Sequence, residues 1–121
     1  MHGVIAAGSE PTAKAGAEVL AAGGNAVDAA VAACFATAAG EPTLTSLAGA
    51  GVLCHRDAAT GAVDVCDFFA NAPVTPAHAV PGLDFYGIDL DFGPVTQRFH
   101  IGAGAAAVPG VIPGLCEALE R

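Results

Sequence analysis

Positive charge is what this sequence has least of. Lys14, Arg56, Arg98 and Arg121 are its 4 basic residues, against 12 acidic ones, and they form no patch along the chain. A net charge of −8 argues against nucleic acid or an anionic membrane as a partner. The acidic excess reads as a solubility feature. Charge of either sign is scarce at 13%, while 54% of the residues are hydrophobic, which argues against disorder. So little charge implies elements buried on more than one side, an odd property for a small independent domain and one that favours a piece of something larger. Also missing is an apolar run long enough to span a bilayer, since Ala26 to Ala39 is short and carries Asp28 near its start. No signal peptide is visible, because Met1-His2 leads straight into a strand-like run. The 4 cysteines, Cys34, Cys54, Cys66 and Cys116, have no CxxC or other metal-ligand spacing and read as buried free thiols. Cys54 and Cys66 could face each other across a hairpin, and the compartment stays open.

What the chain does have is an ordered run, Gly23-Gly24-Asn25-Ala26-Val27-Asp28-Ala29-Ala30-Val31-Ala32-Ala33. A glycine closes one helix in the left-handed conformation and Asn25 caps the next, its side-chain oxygen accepting from the first free amides. Asp28 then lies in the first turn, where negative charge meets the positive end of the helix dipole. The sequence predicts a short buried strand at Val4 to Ala7, then a helix capped near Ser9 or Glu10 with Pro11 in its first turn. That helix runs to about Ala22, with Ala15, Val19, Leu20 and Ala22 available for packing. A second helix follows from Ala26 to about Ala39, apolar nearly all round, which requires cover on several sides.

A strand is predicted from about Gly51 to Arg56, the turn Asp57-Ala58-Ala59-Thr60-Gly61, and a return strand from Ala62 to Phe69. Val63, Val65 and Asp67 share one face of it, and Asp64, Cys66 and Phe68 the other. Residues 70–97 hold Pro73, Pro76, Pro81 and Pro94 and read as an irregular excursion, with a strand returning at Arg98 to Ile101. Pro109 and Pro113 suit the first turn of a last helix. The fold class is α/β, in one domain spanning 1–121.

The order of these segments resembles the γ-glutamyltranspeptidase (γ-glutamyltransferase) family. The resemblance rests on Glu18-Val19-Leu20 with Gly23 to Ala30, on Glu41-Pro42 followed by Leu47-Ala48-Gly49-Ala50-Gly51, on Asp67-Phe68-Phe69-Ala70-Asn71-Ala72-Pro73, and on Ala107-Val108-Pro109-Gly110. It implies an incomplete αββα sandwich of the N-terminal nucleophile hydrolase type, being an N-terminal segment of the large subunit. In that family a precursor cuts itself, and the new N-terminal threonine of the small subunit is the nucleophile, with its own amine as base. Thr12, Thr37, Thr43, Thr45, Thr60, Thr75 and Thr96 do not sit in such a motif. The nucleophile is therefore expected outside this chain, which alone would be inactive. The implied partners are the downstream segment or small subunit and a small-molecule γ-glutamyl or acyl amide; no cofactor is expected. Family members are often periplasmic or extracellular, but no residue here shows the compartment.

The resemblance places one substrate-binding segment inside the chain. Family members carry Asp-aromatic-Arg-Glu-x-Ala-Pro, whose arginine grips the α-carboxylate of the γ-glutamyl group, and here Phe69 stands at the arginine and Ala70 at the glutamate. Phenylalanine cannot replace a bidentate guanidinium. Either Phe69 lines a pocket for a less anionic acyl group, or it is a core residue ending a strand; Asn71 is a candidate polar contact. Ala48-Gly49-Ala50-Gly51 lacks the spacing, the lysine and the following helix of a phosphate loop, and the resemblance suggests a tight backbone crossing there instead. Ala48 and Ala50 depart from the glycines usual in it. Asp84, Asp89 and Asp91 read as a solvated loop rather than a calcium site. His2, His55, His78 and His100 are scattered, with His100 an edge or core histidine rather than a base, and Ser46 lacks a GxSxG setting. The competing reading is a non-catalytic truncated module that binds a partner through its apolar helix surface.

Overall fold

A computed structural model describes residues 3–72 and 81–121. The elements run α1 (Glu10–Ala21), α2 (Ala26–Gly40), β1 (Gly51–Arg56), β2 (Val63–Phe68), β3 (Tyr86–Asp91), β4 (Thr96–Ile101), a 3-10 turn (Ala103–Ala105) and α3 (Val111–Glu120). They form two compact units, one of Met1–Ala70 with Pro109–Arg121 and one of Asn71–Val108.

The first unit is built around small residues. Ser9 is the N-cap of α1, with proline in its first turn, and Gly23 closes the helix region at φ 96°. The buried positions of α1 are Thr12 and Gly16. Ala22, expected in the packing surface, is instead the exposed C-cap. Gly16 matters because a Cβ there would crowd the Ala29 carbonyl and the Ile5 side chain, so α1 and α2 cross closely at that point. The cap of α2 forms as its sequence dictates. Asn25 Oδ1 accepts from the amides of Val27 (2.7 Å) and Asp28 (2.9 Å), and Asp28 Oδ2 accepts from the Asn25 amide (2.9 Å). This reciprocal capping box satisfies donors that would otherwise be orphaned at the helix start.

The predicted strand at Val4 to Ala7 does not form. Those residues lie outside any strand, and Val4 is 97% exposed. A strand exists only by pairing, and among the described residues nothing pairs with this segment. Ile5 instead rests against Gly16.

β1 and β2 pair antiparallel with the register Gly51↔Phe68 through Arg56↔Val63. Asp57 holds the turn between them. Its Oδ1 accepts from the amides of Ala59 (2.9 Å) and Thr60 (2.6 Å) and from Thr60 Oγ1 (2.8 Å). The Thr60 amide, then its hydroxyl, hold this carboxyl below the ordinary aspartate value. In this register Leu53 opposes Cys66 and Cys54 opposes Val65, so Cys54 and Cys66 point to opposite faces. All four cysteines are free, but only Cys66 is even half-buried; the expectation of buried thiols fails because their faces are uncovered.

Val31, Leu115 and Ala118 form the core cluster, with Val27, Phe35, Leu53, Phe68 and Val111 packed against it. The second unit is the β3–β4 hairpin with its flanks. The whole of residues 70–97 was expected to be irregular, yet Tyr86–Asp91 is a strand paired with Thr96–Ile101 from Tyr86↔Ile101 to Asp91↔Thr96. Alternating Gly and Asp hide its strand character in the sequence. No helix of the described residues is long and apolar enough to cross a membrane.

Candidate functional site

The glycine-spaced stretch before β1 is a tight backbone crossing, as expected. The Gly49 carbonyl accepts from the amides of Gly110 (3.1 Å) and Val111 (3.3 Å), so the start of α3 is tied to the entry of β1. A carbonyl thus occupies amides at the α3 N-terminus that a bound anion would need. Phe68 is wedged into this crossing. A Cβ at Gly110 would collide with the Phe68 carbonyl oxygen, and one at Gly51 or Gly114 would collide with its ring. Sequence patterning does not single out Phe68; the only signal is glycine at positions 110 and 114, around a helix start.

Phe69 faces the other way. Its amide donates to Asp67 Oδ1 (2.9 Å), an Asx-type turn that ends β2, and its side chain is 64% exposed. Phe69 is thus an exposed residue at the strand end and is not among the residues of the core cluster. Asn71 belongs to the second unit, where it forms an antiparallel bridge with Val108: its amide donates to the Val108 carbonyl (3.3 Å) and the Val108 amide donates back (2.8 Å). Both residues are exposed. Pro73, the last residue of the quoted motif, lies outside the described residues, as do Thr75, Pro76, His2 and His78.

The remaining candidates have structural tasks. Asp84 Oδ2 accepts from the Ala103 amide (3.0 Å), Asp89 pairs with Arg98 Nε (3.1 Å), and Asp91 Oδ1 accepts from the Gly93 amide (2.8 Å). His100 stacks on Phe85 at 4.8 Å between ring centroids. Thr12 is 2% exposed and donates to Glu41 Oε1 (3.0 Å), with Ser9 Oγ 2.9 Å from its hydroxyl, so it serves the joint between the two helices. Desolvation raises the Cys34 thiol above its ordinary value, the opposite of an activated nucleophile. Among the described residues no three His, Cys, Asp or Glu side chains gather to hold a metal ion.

Comparison with known proteins decides what this arrangement belongs to. The family model described as Gamma-glutamyltranspeptidase matches residues 12–121. The chain belongs to the γ-glutamyltranspeptidase family. It is 36% identical over 120 residues to the Acylase ACY 1 proenzyme of Pseudomonas sp. (strain SE83), covering 99% of this chain and 21% of that protein. It is also 36% identical over 121 residues to the Glutathione hydrolase proenzyme of Bacillus subtilis (strain 168), covering 98% of this chain and 19% of that one. Among solved structures, the gamma-glutamyltranspeptidase from Pseudomonas nitroreducens complexed with L-DON superposes with a TM-score of 0.73 at 34% identity, over 98% of this chain and 33% of that chain. The chain therefore spans about a fifth of the length of the curated relatives it matches. The matched stretch corresponds to part of the family's large subunit. Its architecture is α/β with two small antiparallel sheets, consistent with part of the family's fold.

Proposed function

We propose that residues 1–121 are an N-terminal segment of a γ-glutamyltransferase-like enzyme, an amidohydrolase or acyltransferase working on glutathione or a related γ-glutamyl or acyl amide. The observation that carries this reading is the family match along residues 12–121. In the proposed mechanism a threonine outside these residues attacks the amide carbonyl, its proton taken by its own amine, and donors outside the chain hold the oxyanion. The acyl group then passes to water or an acceptor amine. The partner of this chain is accordingly the rest of the polypeptide, including the small subunit.

An incomplete αββα sandwich accounts for the uneven cover of the first hairpin. The face of β1–β2 with Leu53 and Phe68 packs toward the core cluster, while Val52, Val63 and Val65 on the other face are 58%, 59% and 59% exposed. A sheet with helices on one face and, among the described residues, an exposed second face is what one half of a four-layer sandwich would present by itself.

Within the enzyme this segment supplies scaffold and one wall of the acyl pocket. Phe69, at the position of the family's carboxylate-gripping arginine, is assigned to that wall, and Asn71 is assigned as a polar contact. The relatives do not choose the acyl group: an acylase and a glutathione hydrolase are each 36% identical to the chain. The test is hydrolysis of glutathione and of γ-glutamyl and acyl anilides by the longest natural polypeptide containing these residues. Activity there, with none from residues 1–121 alone, is the expected result. An inert long product would overturn the reading, and an active 121-residue chain would overturn the placement of the nucleophile.

A further inference from the structure

We draw no further inference here: the strongest candidate, the apolar face of the β1–β2 hairpin that carries Val52, Cys54, Val63 and Val65, is exposed, and nothing in the structure shows what covers it.

Discussion

The two hairpins of this chain have the same size and different circumstances. Each pairs six residues with six in antiparallel register. In β1–β2 one face carries Leu53, Cys66 and Phe68, and α3 lies against it through Leu115 and Gly114. In β3–β4 the apolar residues also gather on one face, Tyr86, Ile88, Leu90, Phe99 and Ile101, with Asp89, Arg98 and His100 on the other. Yet every residue that is buried among the described ones belongs to the first unit. An isolated two-stranded hairpin is marginal in water, so hydrogen bonding alone does not distinguish the two. Helix cover does. The first hairpin is a wall fixed by α3, and its strand end is where Phe69 is presented.

That contrast can be broken by substitutions of graded effect, measured on the longest natural polypeptide. Leu115 is 1% exposed at the centre of the cover, and Leu115→Ala should cost about 3 kcal/mol in a urea titration through lost contacts and a cavity. A loss below about 1 kcal/mol would mean that α3 does not hold the sheet. Gly110→Ala places a methyl group against the Phe68 carbonyl, backbone that cannot swing aside. About 2 kcal/mol is expected there, read as a lowered thermal midpoint. Asn25→Ala removes both bonds its side chain makes to the α2 start and should cost about 1 kcal/mol, with Asn25→Asp restoring most of it. On the second hairpin, Arg98→Ala deletes an ion pair whose side chains are 65% and 56% exposed. It should change stability by less than about 0.5 kcal/mol. A cost at Arg98 equal to that at Leu115 would erase the difference between the hairpins.

What the sequence disclosed follows the same division. The α2 cap was legible because its bonds close within three residues, from Asn25 to Asp28. β1 was legible to its end residues because a strong turn at Asp57 fixes where it stops. The tight crossing at Ala48 to Gly51 was legible through the family resemblance, although not Phe68 as its occupant. β3 was not legible, because Gly87, Asp89 and Asp91 are poor strand residues and only pairing with β4 makes Tyr86–Asp91 a strand. Val4 to Ala7 failed in the opposite sense: strand-like residues, with no ladder among the described ones. For the site, the sequence offered Phe69 with two roles, pocket wall or core residue at a strand end, and within residues 1–121 it is 64% exposed. Long-range cover, not local propensity, is the quantity missing from a single sequence.

The central claim is that these residues frame an acyl-transfer site whose nucleophile lies elsewhere in the polypeptide. It is tested most directly by trapping the acyl-enzyme of the longest natural polypeptide with a slowly hydrolysed acyl donor and mapping the label by peptide mass spectrometry. The account predicts one labelled residue, a threonine at a newly formed N-terminus outside residues 1–121. Label on Thr12, Thr37, Thr43, Thr45, Thr60, Thr75 or Thr96, or on any cysteine or serine of these 121 residues, would contradict it.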